Sequence, residues 1–233
     1  MFKYTISLIF LIFYMIWALI LYPFYYFSGK KIGKFLVRYL LIVVLKLCGV
    51  KIVTEGLENV DENEKYLVVS NHQSVFDIPV IGAALPLNMR IIAKKELSRF
   101  PFFGQMLLLY DFVFVDRKNP RKAVRDLKKA ADLLKHYSFL VFPEGTRSID
   151  GSVGSFKTGG ISLAFESGVK ILPVAITGVD KVMKRGQLIV HAGTVTMKVF
   201  PPVTIMPGES RKNVTNKLQS MISEYVSQQR RVL

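Results

Sequence analysis

The sequence predicts an α/β domain, a largely parallel mixed sheet flanked by helices, preceded by an N-terminal membrane-associated two-helix segment. Three observations lead there. From Gly49 onward, short β-rich runs alternate with helical patterns, the signature of a mostly parallel sheet with helical crossovers. Ahead of that point, Tyr4 to Gly29 holds no charged residue and is rich in Ile, Leu, Phe and Tyr. The 233 residues suit one α/β domain with a full core, and neither an internal repeat nor a long linker divides them. The expected boundaries are 1–50 for the membrane-attached helices and 51–233 for the α/β domain.

As a helix, Tyr4–Gly29 would run roughly 39 Å, enough to cross the hydrocarbon core. Pro23 and the aromatic cluster from Tyr22 to Phe27 mark a kink or an interfacial end. A cleaved signal peptide fits less well, because the apolar region is too long and no small-residue cleavage site follows it. The next stretch, Lys30 to Val50, opens with Lys30, Lys31 and Lys34 and then turns apolar. Arg38 and Lys46 interrupt it on about the same side of a helix, which suits the membrane interface. Two arrangements are open: one true span followed by an interfacial helix, or a helical hairpin dipping into one leaflet. In both, the cations place the C-terminal domain on the cytoplasmic face of the cell's inner membrane.

Strands are expected at Lys51–Glu55, Tyr66–Ser70, Met89–Ala93, Phe112–Asp116, Phe139–Phe142, Ile171–Ile176, Leu188–His191 and Thr194–Phe200. Asn119-Pro120 supplies an N-cap and first turn for a helix bearing Ala123, Val124, Leu127, Ala130, Ala131 and Leu134 at helical spacing. Its other face, with Lys122, Arg125, Lys128, Lys129 and Lys135, reads as a solvated or membrane-facing surface. Phe156-Lys157-Thr158-Gly159-Gly160 precedes a helix ending near Ser167-Gly168. A last amphipathic helix carries Val214, Leu218, Met221, Ile222 and Tyr225 on one face.

Composition narrows the function. The formal charge is +15, from 32 Lys and Arg against 17 Asp and Glu, which favours an anionic partner. A mean hydropathy of +0.33 with 51% hydrophobic residues is too apolar for a typical nucleic-acid binder and points to a membrane. The single cysteine, Cys48, excludes an internal disulfide and a cysteine metal cluster. The three histidines, His72, His136 and His191, are too scattered to suggest a metal site.

In open α/β sheets, ligands gather at the C-terminal ends of strands. Tyr66–Ser70 runs into Asn71-His72-Gln73-Ser74-Val75-Phe76-Asp77, and Pro79 suits the first turn of a following helix. His72 and Asp77 would stand roughly 140° apart on one continuous helix. A strand-loop-helix corner can instead fold the histidine back toward the carboxylate. An imidazole held at one nitrogen by a carboxylate is a general base at the other. Read alone, the heptapeptide equally fits a loop histidine beside a helix cap, since Ser74 and Asp77 have capping-box spacing.

A second corner follows Phe139–Phe142. Pro143-Glu144-Gly145-Thr146-Arg147-Ser148 joins a glycine turn presenting backbone N–H groups to a guanidinium suited to phosphate. The alternative is a tight turn with Glu144 and Arg147 paired. Met89–Ala93 ends in Lys94-Lys95-Glu96-Leu97, another cation at the same sheet edge. Phe112–Asp116 ends in Asp116-Arg117, which fits an Asp–Arg brace equally well. Leu172-Pro173-Val174-Ala175-Ile176 carries no reactive side chain and would serve as a wall, with Pro173 suiting an edge or a strand start.

Taken together, these residues resemble the glycerolipid acyltransferase family, most closely its bacterial 1-acyl-sn-glycerol-3-phosphate acyltransferases. Asn71-His72-Gln73-Ser74-Val75-Phe76-Asp77 matches the first motif, with four residues between histidine and aspartate. Lys94-Lys95-Glu96-Leu97, with Pro101, Gly104 and Asp116-Arg117 downstream, resembles the second block. Phe142-Pro143-Glu144-Gly145-Thr146-Arg147-Ser148 is similar to the third and Leu172-Pro173-Val174-Ala175-Ile176 to the fourth. The motifs run in the family's order from Tyr66 to Gly178, behind hydrophobic N-terminal helices. Asp111 departs from a frequent family glycine, which touches a local turn and not the chemistry.

The resemblance implies transfer of a fatty acyl chain from a thioester to the sn-2 hydroxyl of lysophosphatidic acid, giving phosphatidic acid. It implies His72 as general base and Asp77 as the group that orients it. Lys94 and Arg147 would hold the phosphate, with Glu144 and Gly145 shaping the pocket and Thr146 and Arg117 binding substrate. Asn71 and nearby N–H groups are candidates for the thioester oxyanion. The substrate alcohol would take the place of a hydrolase serine, which suits a chain with neither a Gly-x-Ser-x-Gly elbow nor an activated cysteine. No covalent intermediate, metal or cofactor is expected. The implied partners are lysophosphatidic acid, acyl-CoA or acyl carrier protein as thioester co-substrate, and anionic membrane lipids, with no nucleic acid. Other acceptors, such as another lysophospholipid or glycerol 3-phosphate, fit the same motifs. A thioesterase or phospholipase would use the same dyad with water, and a non-catalytic membrane-binding protein would explain only charge and hydropathy.

Overall fold

The computed structural model describes residues 30–99, 104, 107–108, 112–116, 119–187 and 189–232. In chain order the elements are α1 (Lys30–Leu47), β1 (Val50–Glu55), β2 (Tyr66–Ser70), α2 (Asp77–Ala84), β3 (Met89–Lys94) and β4 (Val113–Val115). These are followed by α3 (Pro120–Leu133), β5 (Ser138–Val141), α4 (Thr158–Ser167), β6 (Lys170–Thr177), α5 (Val179–Val182), β7 (Gly193–Val199) and α6 (Arg211–Val232). One seven-stranded sheet runs in the order β1-β7-β6-β2-β5-β3-β4. Strands β6, β2, β5, β3 and β4 are mutually parallel. β7 lies antiparallel to β6 and carries β1 parallel to itself.

Every residue of the central strand β2 is buried, because helices cover both faces of the sheet. Its side chains alternate between two cores. Tyr66 and Val68 point to the layer holding α1 and α2, where Leu45, Val80 and Ile81 pack. Leu67 and Val69 point to the layer holding α3, α4 and α6, with Ala130, Ile161, Leu163, Val214, Leu218, Ile222 and Val226. The four α6 residues recur every fourth position, which lays one apolar stripe on the sheet. At the start of α3, the Asn119 side chain accepts a hydrogen bond from Lys122 N–H at 3.1 Å, the cap its sequence predicts.

This layering locates the crevice. β2 leaves the sheet through α2 on one face, while its neighbour β5 leaves through α4 on the other. Two adjacent strands whose crossovers part to opposite faces open a gap at their C-terminal ends, and loops 71–77 and 142–157 rise from it.

Several expectations are revised. The described residues of Leu188–His191 form no strand. His191 N–H instead donates to Val182 O at 2.8 Å, closing the turn after α5, and both edges of β7 are already occupied by β1 and β6. Pro173 lies inside an interior strand, not at an edge or a start. It falls between the Ile171–Val203 bridge and the β6–β7 ladder, which begins at Val174–Val199, so its missing N–H coincides with a break in pairing. Helix α1 is part of the α/β layer: Leu41, Ile42 and Leu45 join the core, and Arg38 Nε donates to Ala83 O at 3.0 Å near the end of α2. Among the described residues, no helix is long and apolar enough to cross a membrane. The segment Tyr4–Gly29, Pro101, Asp111 and Arg117 lie outside the described residues.

Candidate active site

At the end of β2 the chain makes the corner its sequence suggests. His72 Nδ1 lies 2.6 Å from Asp77 Oδ2, a contact to an ionised carboxylate that needs the proton on Nδ1 and so leaves the lone pair on Nε2. The same carboxylate oxygen accepts Gln73 N–H at 2.7 Å and Ser74 N–H at 2.9 Å. Three donors on one oxygen fix the loop, and the charge sits in the first turn of α2, where the helix dipole favours an anion. Asp77 is fully buried, whereas the His72 side chain is 17% exposed. Burial pushes the Asp77 carboxyl above the usual carboxylate range, opposed by the His72 hydrogen bond and charge and by the Ser74 and Gln73 amides. Oδ1 of Asp77 is buried without a partner. Half of the capping box forms: Asp77 Oδ2 accepts Ser74 N–H, while the Ser74 hydroxyl accepts Phe76 N–H at 3.3 Å, one residue short of the capping-box partner, and donates to Met183 O at 2.7 Å.

The loop after β5 supports the imidazole from the other side. The Phe142 ring stacks on His72 with centroids 4.0 Å apart and an interplanar angle of 14°. Glu144, also buried, accepts His72 N–H at 2.7 Å on one oxygen and Gly154 N–H at 2.9 Å on the other. Burial pushes its carboxyl up too, against the Gly154 and His72 amides. A Cβ at Gly154 would stand 2.9 Å from Glu144 Oε2, so glycine permits that approach. Gly145 takes the left-handed region at φ 73°, turning the chain so that its N–H donates to Phe142 O at 3.0 Å. Ser148 N–H then donates to His72 O at 2.7 Å.

The site therefore unites His72, Asp77 and Glu144, with Arg147 one peptide away. Glu144 and Arg147 form no ion pair; the Glu144 oxygens hold the His72 and Gly154 amides instead. Thr146 is exposed and Arg147 half-buried on the same loop. Asn71 is fully buried, and its amide is bonded at both ends to Ile176, accepting its N–H and donating to its O, each at 2.9 Å. It braces β6 and does not face the imidazole. Lys94, one strand beyond β5, is exposed and lies 3.3 Å from Glu96 Oε1. Among the described residues, no cluster of His, Cys, Asp or Glu has the arrangement of a metal site.

Sequence reasoning missed several participants. Gln73 Nε2 donates to Gly151 O at 2.8 Å, tying the two corners together, and Arg185 Nη1 donates to Arg147 O at 2.6 Å. The Asp150-Gly151 dipeptide is a turn signal that could have marked the first contact. Nothing local marks Arg185, which arrives from the loop after α5.

Comparison with known proteins adds to this geometry. A family model described as Acyltransferase matches residues 51–177. A 1-acyl-sn-glycerol-3-phosphate acyltransferase of Limnanthes alba is 34% identical over 69% of this chain and 57% of its own length. The chloroplastic LPAT1 enzyme of that name from Arabidopsis thaliana is 36% identical over 75% of this chain and 49% of its length. The chain thus spans about half the length of these plant relatives. A Borreliella burgdorferi protein of the same name is 27% identical over 82% of this chain and 78% of its length. Among solved structures, the 1-acyl-sn-glycerophosphate (LPA) acyltransferase PlsC of Thermotoga maritima superposes with a TM-score of 0.85 at 27% identity, covering 98% of this chain and 96% of that one.

Proposed function

The chain belongs to the acyltransferase family, and we propose that it transfers a fatty acyl group from a thioester to the sn-2 hydroxyl of lysophosphatidic acid. The observation that carries this reading is the buried carboxylate on Nδ1 of a histidine whose side chain stays 17% exposed at a sheet switch point. Nε2 takes the proton of the acceptor hydroxyl as its oxygen attacks the thioester carbonyl. The tetrahedral intermediate then expels the thiolate, which recovers the proton from the imidazolium. Asp77 holds the ring in the productive tautomer and stabilises its transient charge. General-base help of this kind is worth about 10²–10⁴ in rate.

Direct transfer, without an acyl-enzyme, is supported by the surrounding hydroxyls. Ser70 Oγ donates to Asn71 O, Ser74 Oγ to Met183 O, and Ser148 Oγ to Asp150, so none of them is bonded to the imidazole. Arg147 is the phosphate ligand in this reading, and either coenzyme A or acyl carrier protein can carry the donor. The same reading puts the domain at the cytoplasmic face of the inner membrane. Its support is the +15 charge, the cations at the start of α1, and the apolar Val75 and Ile149 exposed on the two site loops.

The test uses purified protein in mixed micelles with a labelled acyl-thioester, with and without lysophosphatidic acid. Thiol release that depends on the acceptor and yields phosphatidic acid is the expected result. Free fatty acid without an acceptor would replace this reading with a thioesterase, and no turnover with any donor would remove catalysis from it.

A further inference from the structure

The peptide joining Arg147 to Ser148 is held from both sides. Its N–H donates to His72 O at 2.7 Å, and its carbonyl accepts Arg185 Nη1 at 2.6 Å. Arg185 is thus one peptide plane away from the catalytic histidine's backbone, although 113 positions separate the two in sequence. Its loop is pinned a second time, by Ser74 Oγ on Met183 O at 2.7 Å, so the dyad's own corner anchors the backbone that carries Arg185. We infer that Arg185 is a second acceptor-binding residue, clamping the phosphate of the acyl acceptor together with Arg147.

Charge and donor count argue for this role. Arg185 is exposed, and one of the five N–H donors of a guanidinium is used on Arg147 O. Two acids close by in sequence have other partners. Asp150 accepts from Ser148 and Ser152, and Asp180 lies 3.8 Å from Arg230. A dianion bound beside the Arg147–Ser148 peptide would meet the Arg185 guanidinium already seated there and the Arg147 side chain leaving the same peptide. A phosphate monoester carries about −1.5 to −2 charges at neutral pH and three acceptor oxygens, which matches two planar forks. A tether alone would need only the one hydrogen bond.

This inference rests on the acyl-transfer reading for the acceptor's identity, and its test separates the two. Lysophosphatidic acid in detergent micelles is titrated calorimetrically into the full chain, its Arg185→Ala and Arg185→Lys variants, and Arg147→Ala as reference. Monoacylglycerol serves as the phosphate-free control. Arg185→Ala should weaken lysophosphatidic acid binding about ten- to hundredfold, the loss of a charge-assisted contact, and leave monoacylglycerol binding unchanged. In the activity assay KM should rise by the same factor with kcat within about twofold, and Arg185→Lys should recover part of the loss. Parental affinity in Arg185→Ala would overturn the assignment. So would a fall in kcat with unchanged affinity that lysine does not restore, the signature of a loop tether. If the parent binds lysophosphatidic acid through Arg185 yet transfers no acyl group, the acyl-transfer reading fails and the phosphate clamp stands.

Discussion

The two loops that meet at the crevice are built on opposite plans. Loop 71–77 exposes Val75 but buries its polar side chains: Asn71, Gln73, Ser74 and Asp77 are each at most 1% exposed and are hydrogen-bonded to backbone or to His72. Loop 143–151 is buried at Pro143, Glu144 and Gly151. Beyond Glu144 it turns outward with Thr146, Arg147 and an Ile149 that is 87% exposed. The difference teaches how this site divides its labour. Chemistry requires a fixed imidazole, and fixing it takes a buried corner whose side chains are tied to the backbone. Recognition of a charged lipid headgroup requires cations still in contact with water and membrane.

If that division holds, substitutions in the buried corner should remove turnover, and substitutions on the rim should move affinity. His72→Ala should lower kcat by about 10³–10⁴ without unfolding the protein, measured as phosphatidic acid formed at saturating substrate. Asp77→Asn comes next, lowering kcat by up to about 10⁴. Its amide oxygen can keep all three hydrogen bonds of Oδ2, with the NH₂ placed where Oδ1 has no partner. The pH dependence follows from the raised Asp77 carboxyl. Its contribution to stability is complete below the unfolded value and is lost as pH rises through the folded one, so the ionised form costs stability at neutral pH. Asp77→Asn lacks that cost, and its stability relative to the parent should grow as pH rises above the ordinary carboxylate value of about 4 in denaturant titrations. A variant more stable and less active than the parent would show a site held under tension.

Glu144→Ala tests the seam between the loops. Two backbone amides lose their acceptor, so unfolding should become easier by about 2–4 kcal/mol, with kcat falling as the imidazole loses its support. Arg147→Ala should spare kcat and raise KM for lysophosphatidic acid about ten- to hundredfold. Lys94→Ala should have the smallest effect, under about threefold in KM, because Lys94 is exposed and faces Glu96 one strand away from β5. A larger effect for Lys94 than for Arg147 would move the phosphate to the β3 edge.

Much of this arrangement could be read before folding. The β-rich runs located the paired strands because interior parallel strands are continuously apolar, and β2 matches its expected span of Tyr66–Ser70. The His72–Asp77 corner was legible because strand, small polar loop and Pro79 fix a turn within a few residues. What escaped was long-range. The Asn71–Ile176, Ser74–Met183 and Arg147–Arg185 contacts join residues 105, 109 and 38 positions apart, and nothing in their local patterns announces a partner. Asn71 shows the consequence: an amide beside a candidate histidine looks like an oxyanion donor until the strand it braces is in place. Leu188–His191 failed for a related reason, since an apolar run becomes a strand only where a sheet edge is free.

The most direct test of the buried corner as the seat of chemistry is thiol release from a labelled acyl-thioester, followed in the parent and in His72→Ala with and without lysophosphatidic acid. The account predicts release in the parent only when the acceptor is present, no label left on the protein, and almost none in the variant. Release without acceptor, label retained on the parent chain, or parental rates in His72→Ala would contradict it.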